Sequence, residues 1–488
     1  MSTRPSPESP VSDQAVSDQA VSEPTRPRAA EPADRRGMRA AMVRGLSYGA
    51  IMRVAGMGLS FLVGWQLARG LGVEGFGVYG LATSTVALLS IASEFGVPFV
   101  VTREVAVGVE RQEWGRVAGV IRWADRAVLL LSGIVFVVGA VMLTLPMWLG
   151  DGAAADDATG PTYRRTLLVA LLVVPILGLA KNRFFALRGL MFIGLGQLNE
   201  LLIRPGLLAA LLGAFSLAGW LGWVATDLTP PIAMAFQVVA VAIGLVVGTL
   251  LLRGRRPREA DGIAPLIETG AWSRAAAPMG LSSGIRVLQQ HALTLVLGAI
   301  GSAAAVGLFQ CASRVGVVAT MPLNLMAIVV GPAFARLHAG GDRDRIQRLA
   351  ARASWAMFGG TLLMLLPFAF VGRTLFATVF DDDFADANAT LLVLGAAHLF
   401  TAATGASSVL LNMTGHERDV ARAGLLSCLG SIAAAALLIP PYQEMGAAVA
   451  YGVGSVIWKG LLWRAARRRT GIDPSLFGAV LPPPRQPD

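Results

Sequence analysis

The sequence predicts an all-α integral membrane protein with about twelve transmembrane helices in two homologous six-helix lobes. Its residues are 54% hydrophobic and 15% charged, and the mean hydropathy is +0.61. Soluble domains carry about 25% charged residues, so this is the composition of a membrane protein. Apolar stretches near the ~20 residues needed to cross the hydrocarbon core recur along the chain. A pattern of the first half also returns in the second half, which is typical of transporters that bind substrate between two repeats.

The chain opens with a polar stretch at 1–44 that is too poor in apolar residues to order itself. We expect a disordered cytoplasmic tail there, followed by an N-terminal six-helix lobe at 45–252. A cytoplasmic linker at 253–274 then leads to a C-terminal six-helix lobe at 275–466, and a second cytoplasmic tail covers 467–488. The predicted spans are roughly 46–69, 77–100, 119–148, 165–187, 193–222, 231–252, 277–300, 304–333, 354–379, 389–413, 420–440 and 445–465.

The repeated pattern places one arginine in the first apolar helix of each half. Gly-Leu-Ser-Tyr-Gly at 45–49 precedes Arg53, and Gly-Leu-Ser-Ser-Gly at 280–284 precedes Arg286. An arginine at the centre of a span costs about 2.5–3.5 kcal/mol on insertion scales, so it usually faces a cavity or a partner. The alternative is that either side chain snorkels to the interface and only anchors its helix.

The charges in the predicted loops set the orientation in the membrane. Arginine-rich loops alternate with acidic loops, so that Arg253-Gly254-Arg255-Arg256 lies on one side and Asp381-Asp382-Asp383 on the other. Cytoplasmic loops carry an excess of Lys and Arg, so twelve crossings place both termini in the cytoplasm. The same rule explains the net charge of +10 without a nucleic-acid partner. We therefore expect a multi-pass protein of the cell (inner or plasma) membrane.

The sequence carries no signature of metal, cofactor or nucleotide chemistry. Cys311 and Cys428 both fall in apolar helices, without a His or Cys partner at metal-ligand spacing. A Gly-x-x-x-x-Gly-Lys-Ser/Thr motif for direct ATP drive is also missing. Asp381-Asp382-Asp383 is the one cluster that a membrane glycosyltransferase could use to bind metal, but no outer loop has room for the domain such enzymes carry. We expect a solvated acidic loop, no catalytic residue and no cofactor.

Motifs in both halves follow one another in a characteristic order. The first half contains Leu-Gly-Val-Glu-Gly-Phe-Gly-Val-Tyr at 71–79 and Ser-Glu-Phe-Gly-Val-Pro at 93–98. The second half contains Ala-Val-Gly-Leu-Phe-Gln-Cys-Ala-Ser-Arg at 305–314 and Ile-Pro-Pro-Tyr-Gln-Glu-Met-Gly-Ala-Ala at 439–448. Together they resemble the polysaccharide-biosynthesis (O-antigen and oligosaccharide) flippases, whose superfamily also contains the multidrug and toxin extrusion antiporters and the lipid II flippase. Gln443 stands where glycine is common in that family.

The resemblance implies two lobes around a V-shaped cavity, and export of a polyprenyl-pyrophosphate-linked oligosaccharide from the cytoplasmic to the outer leaflet by alternating access. The resemblance implies two kinds of partner, the lipid-linked oligosaccharide itself and membrane lipids. A glycan polymerase and a chain-length regulator are further candidates. We expect a monomer. Each hydroxyl moved from water into an alkane-like medium costs about 4–8 kcal/mol, so the sugar needs a wet cavity. Arginine stays charged and matches phosphate oxygens, so we expect Arg53 and Arg286 to bind the pyrophosphate.

Two more arginines lie inside predicted spans. Arg314 lies deep in the eighth span, where it is a candidate for the cavity or for a structural role. Arg204 follows Glu200 by four residues in the fifth span, so the two can form a helix-stabilising pair. In a cavity, the same pair could open and release Arg204 toward phosphate.

Three uncharged or acidic residues complete the set of candidates. Glu94 in the second span could bind a coupling proton or cation, and pairing with Arg53 is the preferred interpretation. His291 and Gln290 could contact sugar hydroxyls, and His291 could titrate near neutral pH. A hydrogen bond in helix packing explains them as well.

Two alternatives to the flippase remain open within transporters. A cation- or proton-coupled small-molecule (multidrug) antiporter would favour an apolar cavity with carboxylates, and few mid-membrane acids occur beyond Glu94 and Glu200. A lipid II flippase is of the same class, but that group commonly carries extra C-terminal spans, and none is predicted after 466.

Overall fold

The computed structural model describes residues 32–148, 160–223, 225–255 and 262–479. Nearly all of these residues are helical and none of them forms a strand, which confirms the all-α fold. Contacts divide the chain into two units, Met1–Ile51 and Met52–Asp488. The described part of the first unit is helical from Pro32. The second unit contains the cavities and every other helix of the described residues.

The two predicted halves are built from long helices joined by short connections. In the first half the helices are α1 (Pro32–Glu94), α2 (Val97–Glu110), α3 (Trp114–Trp148), α4 (Pro161–Leu171), α5 (Val173–Gly189), α6 (Ile193–Leu198), α7 (Arg204–Trp220) and α8 (Pro230–Arg255). In the second half they are α9 (Thr269–Ile300), α10 (Ala303–Gly316), α11 (Met321–Ala339), α12 (Arg343–Val379), α13 (Ala387–Ala403), α14 (Ser407–Met413) and α15 (Glu417–Thr470).

Nine stretches of the described helices are long and apolar enough to cross a membrane. Two of them contain a non-helical residue, Gly72 in Ile51–Glu94 and Gln443 in Glu417–Thr470, and each break separates two helices. Together with the 32-residue α9, they give the described chain twelve long helical segments. This is the number that the sequence predicts.

The two breaks both occur at a residue with positive φ, but one residue is glycine and the other is glutamine. Gly72 has φ +66°, a conformation that glycine adopts without steric cost. Gln443 has φ +47°, which is strained for a residue with a side chain and costs about 1–3 kcal/mol. Its side-chain Oε1 accepts a hydrogen bond of 3.1 Å from the backbone N–H of Ser302 just before α10. The strained residue thus also joins the last long helix to the start of α10.

Glycines of the repeated motifs bring helices of the two halves into backbone contact. A Cβ at Gly77 of α1 would clash with the carbonyl oxygen of Ala303, and a Cβ at Gly307 of α10 would clash with that of Val73. Small residues allow membrane helices to approach this closely. Because both glycines come from the same place in the repeat, the internal duplication explains why the contact is reciprocal.

The tails differ in part from what the sequence predicts. Residues 1–31 and 480–488 lie outside the described residues, as do 149–159 between the third and fourth predicted spans and 256–261 of the predicted linker. Residues 32–44 of the predicted N-terminal tail are helical, because this stretch is rich in Ala, Arg and Met, which are good helix formers, and starts with proline.

The C-terminal segment 471–479 folds back onto the protein. Gln347 of α12 donates from Nε2 to the carbonyl oxygens of Asp473 and Gly478, both at 2.7 Å, and its Oε1 accepts from the Asp473 N–H at 2.8 Å. Ser354 donates to the carbonyl oxygen of Pro474 at 2.5 Å. Ile472 is buried in the adjoining core. The first part of the predicted tail is therefore an ordered element of this end of the bundle.

Candidate functional site

A cavity of about 590 Å³ lies where helices of the first and second halves of the chain meet. Its lining comes from α1, α2, α5, α7 and α8 of the first half and from α9 and α10 of the second half. Three of the lining residues are arginines: Arg204, Arg286 and Arg314. Small-ligand sites typically enclose about 300–1,000 Å³, and transporters place substrate between their repeats.

Arg314 lies against an aromatic ring and a gap in the facing helix. Its guanidinium carbon is 5.3 Å from the centroid of the Phe76 ring, a cation–π contact worth about 0.5–2 kcal/mol. Gly64 of α1 leaves room for the side chain, because a Cβ at that position would lie 3.0 Å from Arg314 Cδ. A larger residue at 64 would therefore have to displace the arginine.

Arg204 stands directly after an irregular turn of the helix. Residues Asn199–Ile203 form a π-helical turn, and the Arg204 N–H bonds to the carbonyl of Asn199. Pro205 has no N–H for the carbonyl of Leu201, four residues earlier. Gly56 of α1 packs at this carbonyl, where a Cβ would come within 2.7 Å of the oxygen. Such π turns are frequent at functional sites.

Gln237 and Tyr79 surround the Arg204 guanidinium. The buried side-chain amide of Gln237, turned with its oxygen toward Arg204, accepts hydrogen bonds from Nε at 2.7 Å and from Nη2. The Tyr79 hydroxyl lies 3.4 Å from the same amide group. Neutral groups therefore hold the arginine without cancelling its charge.

Three positive charges in this cavity have no described acid within ion-pair distance. Within the described ranges, no ion pair includes Arg204, Arg286 or Arg314. Arg204 and Arg314 line the same cavity and carry like charges. Unpaired charges away from water are costly. An anion with several acceptor oxygens would relieve this cost, so the arrangement is suited to bind phosphate-like groups.

Glu94 forms an ion pair at another part of the same cavity. Its carboxylate oxygens accept from Lys181 Nζ at 2.8 and 2.9 Å. Pairing is the preferred prediction for Glu94, but the partner is Lys181 rather than Arg53. The helix turns immediately after Glu94, at Gly96 with φ +79°, where the backbone packs against Gly280 of α9.

Glu200 lines the cavity as well, but its ion pair is not with Arg204. The carboxylate lies 3.3 Å from Arg188 at the end of α5, and it is half exposed. The four-residue spacing therefore does not identify its partner. Arg204 remains available to the cavity without first opening a pair.

Arg53, Gln290 and His291 occupy three different environments. Arg53 is exposed and does not line the cavity, so it does not share this site with Arg286. An arginine near the start of its predicted span, 46–69, can reach the interface instead. Gln290 is exposed toward a second cavity. His291 lines both cavities, and its Nδ1 lies 3.1 Å from the Ser84 hydroxyl.

Sequence reasoning missed three members of the site. Tyr79 belongs to the first repeated motif, where it can be taken as a packing residue. Lys181 sits at the end of its predicted span and looks like a loop-anchoring charge. Gln237 is a single polar residue in an apolar span, which is a usable signal.

Within the described residues, no group of three or more His, Cys, Asp or Glu side chains is placed to hold a metal ion.

Comparisons with known proteins agree on the architecture. A family model described as polysaccharide biosynthesis protein matches residues 42–338. A search of curated proteins finds no significant match to the chain. Solved structures with a similar fold include an inward-facing multidrug resistance MATE family transporter of the MOP superfamily, with TM-score 0.66 and 16% identity over 86% of this chain and 98% of that one.

Two further solved structures support the same fold. The lipid II flippase MurJ in an inward closed conformation has TM-score 0.63 and 13% identity, over 87% of this chain and 87% of that one. A MOP superfamily transporter from Pyrococcus furiosus, described as having a binding pocket of reverse polarity, has TM-score 0.54 and 17% identity over 86% of this chain and 94% of that one. At these identities the likeness concerns the fold.

Proposed function

The chain belongs to the polysaccharide biosynthesis protein family, and on that premise we propose that it moves a polyprenyl-pyrophosphate-linked oligosaccharide from the cytoplasmic to the outer leaflet of the cell membrane. The proposed mechanism is alternating access: the headgroup enters the cavity between the two halves from one side and leaves to the other. The lipid tail stays in the hydrocarbon core of the bilayer, so no free energy is needed to transfer it into water.

The observation that carries the proposal is the set of three unpaired arginines in one cavity. Arg204 comes from the first half of the chain, while Arg286 and Arg314 come from the second half. A pyrophosphate presents several charged oxygens, and each guanidinium can donate two parallel hydrogen bonds to such a group. A ligand held in this way contacts both halves at once. A ligand must contact both halves if its binding is to be coupled to a movement of one half relative to the other.

Arg286 is the most accessible of the three. It is exposed, whereas Arg204 and Arg314 are half-buried. We therefore assign Arg286 the first contact with the incoming headgroup, and Arg204 and Arg314 the deeper contacts. Arg53 lies outside the cavity. In this scheme it does not bind the substrate and only anchors its helix at the membrane interface.

The orientation follows from the positive-inside rule, with both termini in the cytoplasm. The membrane is the inner or plasma membrane, where lipid-linked sugars are assembled on the cytoplasmic face. We propose a monomer as the transporting unit. A glycan polymerase and a chain-length regulator are the partners that would act on its product.

The alternative of a cation- or proton-coupled multidrug antiporter has less support. Such a site would need an acid that is free to bind the ion or an organic cation. The two acids of this cavity are occupied, Glu94 by Lys181 and Glu200 by Arg188. A lipid II flippase would also carry a pyrophosphate, so it differs from the proposed function in the sugar rather than in the arginines.

The test removes one charge at a time. Arg204→Gln and Arg314→Gln should each weaken binding of a short-chain polyprenyl pyrophosphate about 10- to 100-fold, because a hydrogen bond to a charged group contributes about 1.5–3 kcal/mol. Binding is measured on purified protein in detergent. Transport is measured in vesicles, from the protection of a fluorescent lipid-linked disaccharide against a membrane-impermeant reductant.

Arg352→Gln is the matched control, because Arg352 is exposed and lines none of the cavities described. It should bind and transport as the wild type does. If the double variant R204Q/R314Q kept wild-type binding and transport, the arginine site and the proposed function would both be wrong.

A further inference from the structure

A second cavity of about 470 Å³ adjoins the arginine cavity on the side of the second half of the chain. Helices α9, α10, α13 and α15 line it. Arg286 and His291 belong to the linings of both cavities. A ligand bound to Arg286 therefore lies at the border of both cavities.

The second cavity differs from the first in charge. Arg286, at the junction, is the one charged residue among its lining residues in the part of the chain that the structure describes. Most of its other polar lining residues carry amide, imidazole or hydroxyl groups, such as Gln290, Gln310, His398 and Ser431. These groups both donate and accept hydrogen bonds, which matches the hydroxyl groups of a sugar.

Aromatic rings form another part of this lining. His398 and Tyr451 meet edge to face with ring centroids 5.6 Å apart, and Trp458 lines the same cavity. Such rings offer an apolar face with a polar edge. A sugar ring has the complementary shape, because its C–H groups cluster on one face and its hydroxyls project from the rim.

We infer that this second cavity binds the uncharged sugar residues next to the pyrophosphate, while the arginine cavity binds the pyrophosphate itself. This assignment rests on the proposed function. Its basis is that the charge of the two neighbouring cavities, positive and then neutral, follows the charge along the ligand, anionic and then neutral. A hydrocarbon chain would leave Gln290 and His398 without partners, since neither makes a hydrogen bond to a described residue. An organic cation would meet Arg286 and no carboxylate among the described lining residues.

Two ligands separate the two parts of the site. One is a short-chain polyprenyl pyrophosphate with a methyl ester in place of the sugar, and the other is the same lipid carrying a neutral disaccharide, so that both have the same charge. Wild-type protein should bind the second more tightly than the first. Gln290→Leu and His398→Leu should each reduce this difference about 2- to 10-fold, since each removes a neutral hydrogen bond. Both should leave the affinity for the sugar-free lipid unchanged.

The controls distinguish this inference from the function on which it rests. His338→Leu, at an exposed histidine that lines none of the cavities described, should behave as the wild type with both ligands. Arg204→Gln should weaken binding of both ligands alike. Gln290 is exposed and makes no hydrogen bond to any described residue, so its variant should keep the wild-type unfolding midpoint even if His398→Leu does not.

Three outcomes would overturn a defined part of the scheme. If the wild type binds both lipids equally, or if both leucine variants keep the full sugar-dependent difference, the second cavity is not the sugar site. If Arg204→Gln leaves binding of the sugar-free lipid unchanged, the failure lies in the proposed function instead.

Discussion

The contact between Gly77 and the backbone of α10 gives the sharpest test of how the two halves meet. In Gly77→Ala, the added Cβ would clash with the carbonyl oxygen of Ala303. A backbone atom cannot rotate away, so the helices must separate. Overpacking of this kind costs about 1–3 kcal/mol, and the better helix propensity of alanine returns about 1 kcal/mol. We expect a net loss near 1 kcal/mol, or about a fivefold shift of the unfolding equilibrium.

A matched control comes from the part of α1 that precedes the break at Gly72. Nothing lies within 4 Å of a Cβ at Gly58, so Gly58→Ala should gain propensity without a clash and be neutral or slightly stabilising. Gly307→Ala should destabilise as Gly77→Ala does, because its Cβ would clash with Val73. The double variant should lose less than the two losses added, since one separation of the helices relieves both clashes.

Unfolding of the purified protein in mixed micelles, followed by tryptophan fluorescence, measures these differences. The reasoning fails if Gly77→Ala is as stable as Gly58→Ala. It also fails if the losses of Gly77→Ala and Gly307→Ala are fully additive, because the two glycines would then not share one contact.

Two further predictions concern parts of the structure outside the cavities. Burial raises the pKa of Glu104, but hydrogen bonds from Arg103 and Arg116 outweigh it, so the net pKa lies below its ordinary value of about 4.3. The resulting stability is present above that value and is lost as the pH falls toward the lowered pKa. The Glu104→Gln variant should therefore be about 2–4 kcal/mol less stable than the wild type at pH 7. Its free energy of unfolding should also change less between about pH 5 and 3 than that of the wild type. An unchanged pH dependence in unfolding experiments would contradict this. Gln347→Ala removes three hydrogen bonds to the C-terminal segment and should cost about 1–3 kcal/mol, with faster proteolysis near Asp473 as the readout; wild-type protease resistance would show that the segment is held by other contacts.

The number of long helical segments was predictable because it depends on composition along one chain. Apolar length and loop charge mark each span, and the breaks at Gly72 and Gln443 fall between predicted spans. Three arginines, Arg204, Arg286 and Arg314, were also predictable as cavity candidates. A charge inside an apolar stretch is costly unless it faces a water-filled cavity or a partner.

Contacts between helices were harder to predict. Sequence gives the depth of Arg53 in its helix, but the helix is apolar on most sides, so nothing marks which side faces the cavity. Glu200 shows the same limit. A spacing of four residues suggests Arg204, whereas the fold brings Arg188 from another helix to within 3.3 Å. Residue spacing describes neighbours on one helix, and the partners here are set by how helices pack.

The unpaired arginines also bear on what an empty and a loaded transporter would do. Arg204 and Arg314 line one cavity from different halves of the chain, and like charges that approach each other repel. Without an anion, that repulsion disfavours any state in which the halves hold them together. A pyrophosphate between them replaces repulsion by attraction, so it binds that state more tightly than one in which they are apart. A ligand shifts a conformational equilibrium only by such a difference in affinity. On the proposed function, the arginines therefore both recognise the headgroup and make the movement of the halves depend on its presence.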